Sequence, residues 1–420
     1  RMNMGAISLH FPMIIQKSKL IYEENYGKSL VPASTLKAIT SAAALESLGG
    51  DFRFQTVVQT TGQIVEGELQ GNLIIKASGD PTIASSYFPI SADLISSISS
   101  ELRKKGVTTI SGNIIVDESD FSDAGYNPQW TIGDAGESYA PGLYGFNYAD
   151  NVFKYKTATG TSSPEQPQLN VTLTRNDGSL NVVHGINSYN YIIEGKNLSS
   201  PGTMVTLNQN NPAETFKIAL VNHLKIKGIF VEGSSDASSL FVDTLLVHKS
   251  PKLTDILTSL MKRSDNMMAE GVLRAIRQGS SRATAIRAEY SVLSQLGVNA
   301  AGVRIVDGSG LARLDRVTPR FMTETLVKMA SSKNSSTYLS FFPKVGKEGT
   351  VASLLSNSAL KGQLALKSGS INGVHCYVGY KQTSDGQPTH TVVIIVNNFF
   401  SSRQAVRTAI ESFLEHFDWK

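Results

Sequence analysis

The sequence predicts an α+β protein, an antiparallel sheet flanked by helices, built from both ends of the chain and interrupted by a long strand-rich insertion. Three observations predict it. Two strand-like segments open the chain, and three more with an amphipathic helix close it. Neither group can bury its apolar face alone, so the two ends should join in one sheet. Between about residues 57 and 245 the composition shifts to short strands, turns and Asn, Ser and Gly.

Ala6–Met13 and Lys19–Glu23 read as the first two strands, joined by a polar turn. Ser34–Leu48 reads as an almost wholly apolar helix closed by Gly49-Gly50. Within the insertion, a helix at Ala92–Lys105 is followed by Gly106 and Ile110–Ile114. A second, Ala213–Lys227, is followed by Gly228 and Ile229–Gly233. A third echo runs Glu289–Leu296, Gly297, Val303–Val306. Duplication would produce such echoes, but so does a generic helix–Gly–strand unit, and the generic unit is preferred. Helices follow at about Pro251–Lys262 and Met267–Ile276. Gln363–Leu366, Val374–Lys381 and Thr389–Val396 read as strands, the last two joined at Ser384-Asp385-Gly386. Ser401–Phe417 is the closing helix, with Ala405, Ala409, Ile410, Phe413 and Phe417 on one stripe.

At 420 residues the chain is long for one core, so two or more domains are expected. A net charge of +4 with no basic run argues against nucleic-acid binding. A single cysteine, Cys376, excludes an intramolecular disulfide and reads as a small buried hydrophobe. No stretch approaches the roughly 18 apolar residues of a membrane span. No signal peptide is visible, and Arg1 stands close to a strand, so a leader is expected to have been removed. The seven histidines are scattered without metal-ligand spacing, so neither a metal nor another cofactor is expected. Trp130 and Trp419 read as core or surface anchors.

The chemistry concentrates in three short motifs. Ser34-Thr35-Leu36-Lys37 opens the apolar helix, placing a hydroxyl and an amine on one face. A lysine in so apolar a helix should be desolvated, which lowers its pKa and suits it to act as a base. This is the layout of a serine nucleophile that needs no histidine. Taken alone, the motif is better read as an N-cap serine and a snorkelling lysine. Ser-x-x-Lys also occurs at Ser259–Lys262, inside an amphipathic helix, and at Ser358–Lys361, in a loop-like stretch. Only Ser34 combines an upstream proline, a helix start and an apolar body. The second motif, Ser264-Asp265-Asn266, stands between two helices. The third, Lys367-Ser368-Gly369, ends the short strand Gln363–Leu366.

This ordered trio resembles the active-site-serine penicillin-interacting enzymes. The chain is most similar to one branch, the low-molecular-mass class C penicillin-binding proteins of the D-alanyl-D-alanine carboxypeptidase/endopeptidase family. Leu30–Lys37, Gly79-Asp80-Pro81, Gly112–Asp117, Ser264–Met267, Asp307–Leu311 and Lys367–Val374 carry the resemblance. Ser368 replaces the usual threonine and keeps its hydroxyl, and Pro12–Gln16 lacks the usual Asp and Thr-Gly turn. Read without the family, Gly79-Asp80-Pro81 and Asp307–Gly310 are turn chemistry. Ser34 and Ser264 stand about 230 positions apart, far more than a compact β-lactamase needs.

The resemblance implies a serine penicillin-binding/β-lactamase-like transpeptidase fold with a nested insertion. It divides the chain into a catalytic domain at 1–56 and 246–420, an inserted α/β domain at 57–146 and 207–245, and an inner β-rich domain at 147–206. It implies a D-Ala-D-Ala carboxypeptidase, also an endopeptidase by family, with Ser34 as nucleophile and Lys37 as base. Ser264, hydrogen-bonded to Lys37, would relay a proton to the leaving amine, and Asn266 would hold Lys37 and the substrate backbone. Lys367 and Ser368 would bind the substrate's terminal carboxylate, beside Gly369. The N–H groups of Ser34 and Ser370 would form the oxyanion hole. Asp134 and Tyr139, five positions apart on the insertion, and Asn372 after the third motif would receive the free end of a stem-peptide side chain. Peptidoglycan stem peptides and β-lactams are the implied partners, and the periplasm or cell surface the implied location. A β-lactamase or esterase on the same scaffold, and a non-catalytic penicillin-binding sensor, are the alternatives.

Overall fold

A computed structural model describes residues 7–11, 19–89, 93–233, 242–278 and 281–419. The turn expected around Pro12–Gln16 lies outside the described residues. The chain divides into two compact units. One comprises Arg1–Phe52, Lys252–Arg277 and Arg282–Lys420; the other comprises Arg53–Pro251 with Gln278–Ser281.

The first unit is built on a five-stranded sheet. Its order is Leu364–Ile371, Val374–Gln382, Pro388–Asn397, Ile7–Phe11, Lys19–Glu24, every neighbouring pair antiparallel. The ends of the chain meet as expected, with Ile7 opposite Ile394 and Leu9 opposite Val392. The first of these strands is longer than its apolar run suggests. Lys367, Ser368 and Gly369 are poor strand formers, yet they pair with Val378, Tyr377 and Cys376. The third motif therefore lies inside a strand, not at its end.

One face of the sheet is covered by the helix Arg403–His416. Its buried stripe is Val406, Ile410 and Leu414, packed with Leu364, Leu366, Val392 and Ile394. The expected stripe was offset by one position: Phe413 and Phe417 pack at its margin. Elsewhere in this unit the helix Leu36–Leu48 is buried on every side from Leu36 to Leu45. It packs against Leu253–Arg263, Asn266–Ala275, Arg282–Gln295 and Pro319–Ala330. Ala38, Ala42, Ala43 and Ala44 are fully buried, so a larger side chain there would overpack at about 1–3 kcal/mol.

The second unit holds two four-stranded and two three-stranded sheets. The strands Val242–Lys249, Gln55–Thr61, Leu73–Lys76 and Ile114–Asp117 form one; Phe230–Val231, Thr109–Ile110, Glu68–Leu69 and Ile64–Val65 form another. Ile75, Ile98, Leu102, Ile110, Phe216 and Leu220 sit at the centre of their shared core. Residues 152–208 carry the two smaller sheets over a separate cluster of Phe153, Tyr191, Ile193 and Leu207.

The first two echoes are helices Leu94–Lys104 and Pro212–Ile226, and the strands after them pair in parallel, Phe230 with Thr109 and Val231 with Ile110. The third helix, Arg282–Gln295, leads to an isolated bridge at Arg304–Arg316, not a strand. All three end alike on a left-handed glycine, with φ of +76° at Gly106, +78° at Gly228 and +76° at Gly297. In each the next residue's N–H returns to a carbonyl one turn back: Val107 to Leu102, Ile229 to Leu224, Val298 to Leu293. Because this cap recurs in both units, cap chemistry accounts for the echo without duplication.

Candidate active site

The segment before Ser34 is held from two sides. Leu30 exchanges backbone hydrogen bonds with Val317. The Asn397 side chain accepts from Val31 N–H at 2.8 Å and donates to Val31 O at 3.0 Å. Ala33 adopts φ +47°, a left-handed conformation that costs a non-glycine residue of order 1 kcal/mol or more and tends to persist at functional sites. Ala33–Thr35 is a 3-10 turn leading directly into the helix Leu36–Leu48. Thr35 Oγ1 donates to Pro32 O at 2.6 Å, so Ser34, half-buried, is not itself a side-chain cap.

Lys37 lies one turn further on and is fully buried. Its Nζ stands 3.1 Å from Ser34 Oγ, 2.6 Å from Asn266 Oδ1 and 2.7 Å from Ser309 O. The last two partners can only accept. A neutral amine must therefore give them its two hydrogens, leaving its lone pair for the Ser34 hydroxyl. Burial pushes the Lys37 amine down to about 8, against the opposing pull of Asp307, Asp265, Glu270 and Asp315. Lys262, from the second Ser-x-x-Lys, instead pairs with Glu348 at 3.3 Å on the surface, and Ser358 lies in a loop.

Ser264-Asp265-Asn266 is a helix junction. Ser264 closes Leu253–Arg263 in the left-handed conformation, φ +64°, where glycine is usual. Asp265 caps the next helix by accepting from Met268 N–H at 2.9 Å. Asn266 is then the first helical residue and is buried, its amide oxygen on Lys37. The expected bond between Ser264 and Lys37 is replaced by another: Lys367 Nζ donates to Ser264 Oγ at 2.9 Å. Lys37 has already met its hydrogen-bonding capacity with three oxygens.

Lys367 is fully buried and also donates to Ser368 O at 2.6 Å. Burial, reinforced by Lys37, holds its amine well below the ordinary lysine value. Gly369 brings this strand against the Ser34 segment: a Cβ there would lie 2.9 Å from Ser34 N and 2.8 Å from Thr35 N. Only a residue without a side chain allows that approach. Ser368 Oγ is 2.6 Å from Thr350 Oγ1. Ser370 Oγ is 2.6 Å from His375 Nδ1, whose Nε2 is 2.9 Å from Tyr377 Oη. Burial, with Arg403 and Arg407, pushes His375 down to about 4, so this imidazole is neutral at ordinary pH. Asn372 is exposed, and its carbonyl accepts from Arg313 at 3.1 Å.

Nine of the eleven residues singled out from the sequence thus lie in the first unit. Asp134 and Tyr139 lie in the second, where Tyr139 Oη donates to Asp134 Oδ1 at 2.8 Å and Thr131 Oγ1 to Asp134 Oδ2 at 2.7 Å. Asp134 is half-buried and Tyr139 is exposed, so the tyrosine is less covered than a half-buried anchor. Sequence reasoning missed Ser309, Asn397, Thr350 and His375. Among the described residues no cluster of His, Cys, Asp and Glu could hold a metal ion, and no helix is long and apolar enough to cross a membrane.

The family model described as D-Ala-D-Ala carboxypeptidase 3 (S13) matches residues 12–417. The chain is 26% identical to the D-alanyl-D-alanine carboxypeptidase DacB of Haemophilus influenzae, over 94% of this chain and 85% of that protein. It is also 26% identical to a D-alanyl-D-alanine carboxypeptidase of Actinomadura sp. (strain R39), over 93% of this chain and 78% of that one. In three dimensions it is similar to the crystal structure of penicillin binding protein 4 (dacB) from Haemophilus influenzae. The TM-score is 0.81 at 23% identity, covering 98% of this chain and 96% of the other. That likeness shows the shared fold, a serine penicillin-binding fold.

Proposed function

The chain belongs to the D-Ala-D-Ala carboxypeptidase 3 (S13) family, and from that premise we propose how this serine-type carboxypeptidase works on peptidoglycan stem peptides. Ser34 Oγ attacks the carbonyl carbon of the bond between the two terminal D-alanines, and Lys37 takes its proton. The N–H groups of Ser34 and Ser370 receive the oxyanion, and Gly369 lets the two backbones approach closely enough to do so. As the tetrahedral adduct collapses, the C–N bond breaks. The departing D-alanine takes, through Ser264, the proton that Lys37 removed from Ser34, which leaves Lys37 neutral again. Water then attacks the ester carbonyl, Lys37 accepts its proton, and Ser34 leaves as the alcohol.

Lys367, with the hydroxyl of Ser368, binds the substrate's terminal carboxylate. That charge compensates two buried amines that repel each other. β-Lactams, whose strained amide takes the place of the scissile bond, acylate the same serine. Asp134 and Tyr139 on the inserted unit read the free end of the stem-peptide side chain. The insertion at 57–245, with 147–206 as an inner domain, would serve that reading. Peptidoglycan as substrate places the activity outside the cytoplasm.

The observation that carries this reading is the lone-pair geometry of Lys37, 3.1 Å from Ser34 with its other partners acceptor-only. The test is a fluorescent penicillin followed by peptide mass spectrometry. The label should sit on Ser34, vanish in Ser34→Ala, and survive in Ser259→Ala and Ser358→Ala. Label that persists in Ser34→Ala protein would sink the assignment. Rapid release of the label would favour a β-lactamase instead.

A further inference from the structure

We propose that Glu270 is a positioning residue for Lys37: its buried carboxylate anchors the Gly308 and Ser309 amides of the loop whose Ser309 carbonyl accepts from Lys37, and so helps aim the amine at Ser34. The proposal rests on the reading of Lys37 as the base.

Glu270 is 1% exposed and stands one turn after Asn266 on the same helix face. Its Oε1 accepts from two successive backbone N–H groups, Gly308 at 2.9 Å and Ser309 at 3.0 Å. The carbonyls of the same two residues face the helix Leu36–Leu48. Gly308 O accepts from Thr40 Oγ1 at 2.8 Å, and Ser309 O accepts from Lys37 Nζ at 2.7 Å. The 308–309 peptide is therefore held from opposite sides, its N–H by Glu270 and its carbonyl by Thr40, and the adjoining 309–310 peptide carries the carbonyl on Lys37 and an N–H bonded to Asp307. Asp307 closes the turn, accepting from Gly310 N–H at 2.7 Å, Ala312 N–H at 2.8 Å and Ser309 Oγ at 3.1 Å. One helix thus sets both acceptor-only partners of Lys37: Asn266 directly, Glu270 through the loop.

A buried carboxylate that only filled space would be replaced at little cost by an apolar residue. Here the cost would be two orphaned amides and a free carbonyl beside the base. Glu270 also bears on the charge of Lys37. Facing it are Arg282, whose Nε is 3.6 Å from its Oε2, and Glu289 on the helix Arg282–Gln295. Asp307 and Asp315 face it from the loop, and Lys37 from its own helix. Burial and Asp307 push the Glu270 carboxyl up to about 7, against Arg282. When ionised, it favours the ammonium form of Lys37.

The test measures penicillin acylation per labelled site against pH in Glu270→Gln and Glu270→Ala, with thermal melting alongside. The glutamine oxygen still accepts both amides, so E270Q should keep most of the plateau rate. Its acid limb should shift to lower pH, because a negative charge near Lys37 is gone. E270A should lose the plateau rate by roughly tenfold or more, within the 10²–10⁴-fold that a general base supplies. A folded E270A with wild-type rate and midpoint would overturn the proposal. So would equal rate losses in both variants with the midpoint unmoved, since a purely structural residue behaves that way. Should E270A not fold, the E270Q midpoint decides. Wild-type protein left unlabelled at Ser34 would instead refute the reading of the active site.

Discussion

Lys367 Nζ donates to Ser264 Oγ across 2.9 Å, tying together two motifs 103 residues apart. The active site therefore holds two lysine–serine pairs rather than one lysine shared by two serines. Lys37 serves Ser34, and Lys367 serves Ser264. Each amine is fully buried, and two ammonium groups so close disfavour each other. In the proposed mechanism the negative charge of a C-terminal carboxylate would offset that repulsion.

Acylation should rise with pH through about 8, because burial pushes Lys37 down to about 8 and only its neutral form is a base. The stability effect has the same sign. Above pH 8 the folded state holds Lys37 neutral while an unfolded lysine, near 10.5, still binds its proton. The penalty for burying the ammonium is therefore complete below pH 8 and fades as pH rises toward 10.5. Arginine cannot lose its proton in this range. Lys37→Arg should then be as slow as Lys37→Ala, with no acid limb. Stopped-flow acylation of both variants checks this, and a Lys37→Arg enzyme near wild-type speed would mean that only the charge matters.

The three motifs were legible because each couples a side-chain chemistry to a local context: helix start, helix junction, strand. The sheet was legible because neither end of the chain could bury its strands alone. What stayed hidden follows from the same logic. Ser309 acts through its backbone carbonyl, and a carbonyl leaves no trace in the residue type. The turn chemistry read at Asp307–Gly310 is present, yet it also presents that carbonyl to Lys37. Asn397 clamps Val31 from a strand end 366 residues away, a distance no local pattern spans. Glu270 lies within the helix after the second motif, where an acid carries no local mark of the distant loop amides it binds. The strand through Lys367–Gly369 was cut short because its pairing partners, not its own propensities, decide its length.

Lys367→Ala should harm a substrate ending in a free carboxylate more than an ester or amide lacking one. A charge-assisted hydrogen bond is worth about 1.5–3 kcal/mol, so the extra loss in kcat/KM should be roughly tenfold or more. Both substrates should also lose some rate, because Ser264 loses the amine that holds it. Steady-state kinetics on the matched pair separates these effects. Equal losses on the two substrates would remove Lys367 from the carboxylate site.

Asp134 and Tyr139 give the last prediction. The tyrosine hydroxyl donates to one carboxylate oxygen at 2.8 Å and Thr131 to the other at 2.7 Å, so the half-buried Asp134 side chain is held in place. A fixed, solvent-facing carboxylate suits a ligand ammonium, and the tyrosine ring beside it suits the aliphatic stem that carries one. Two hydrogen bonds orienting a half-buried acid are more than a solvated loop residue needs. Asp134→Ala should therefore slow turnover of stem peptides with a free side-chain amine and barely change a diacyl-D-Ala-D-Ala substrate. Tyr139→Phe should act in the same direction but more weakly, since it releases the carboxylate without removing it. Exposed charge pairs are typically worth about 0.2–1 kcal/mol, so the aspartate effect should be several-fold at moderate salt and shrink as salt rises. Equal effects on both substrates, or none on either, would mean that the inserted unit does not read the side chain.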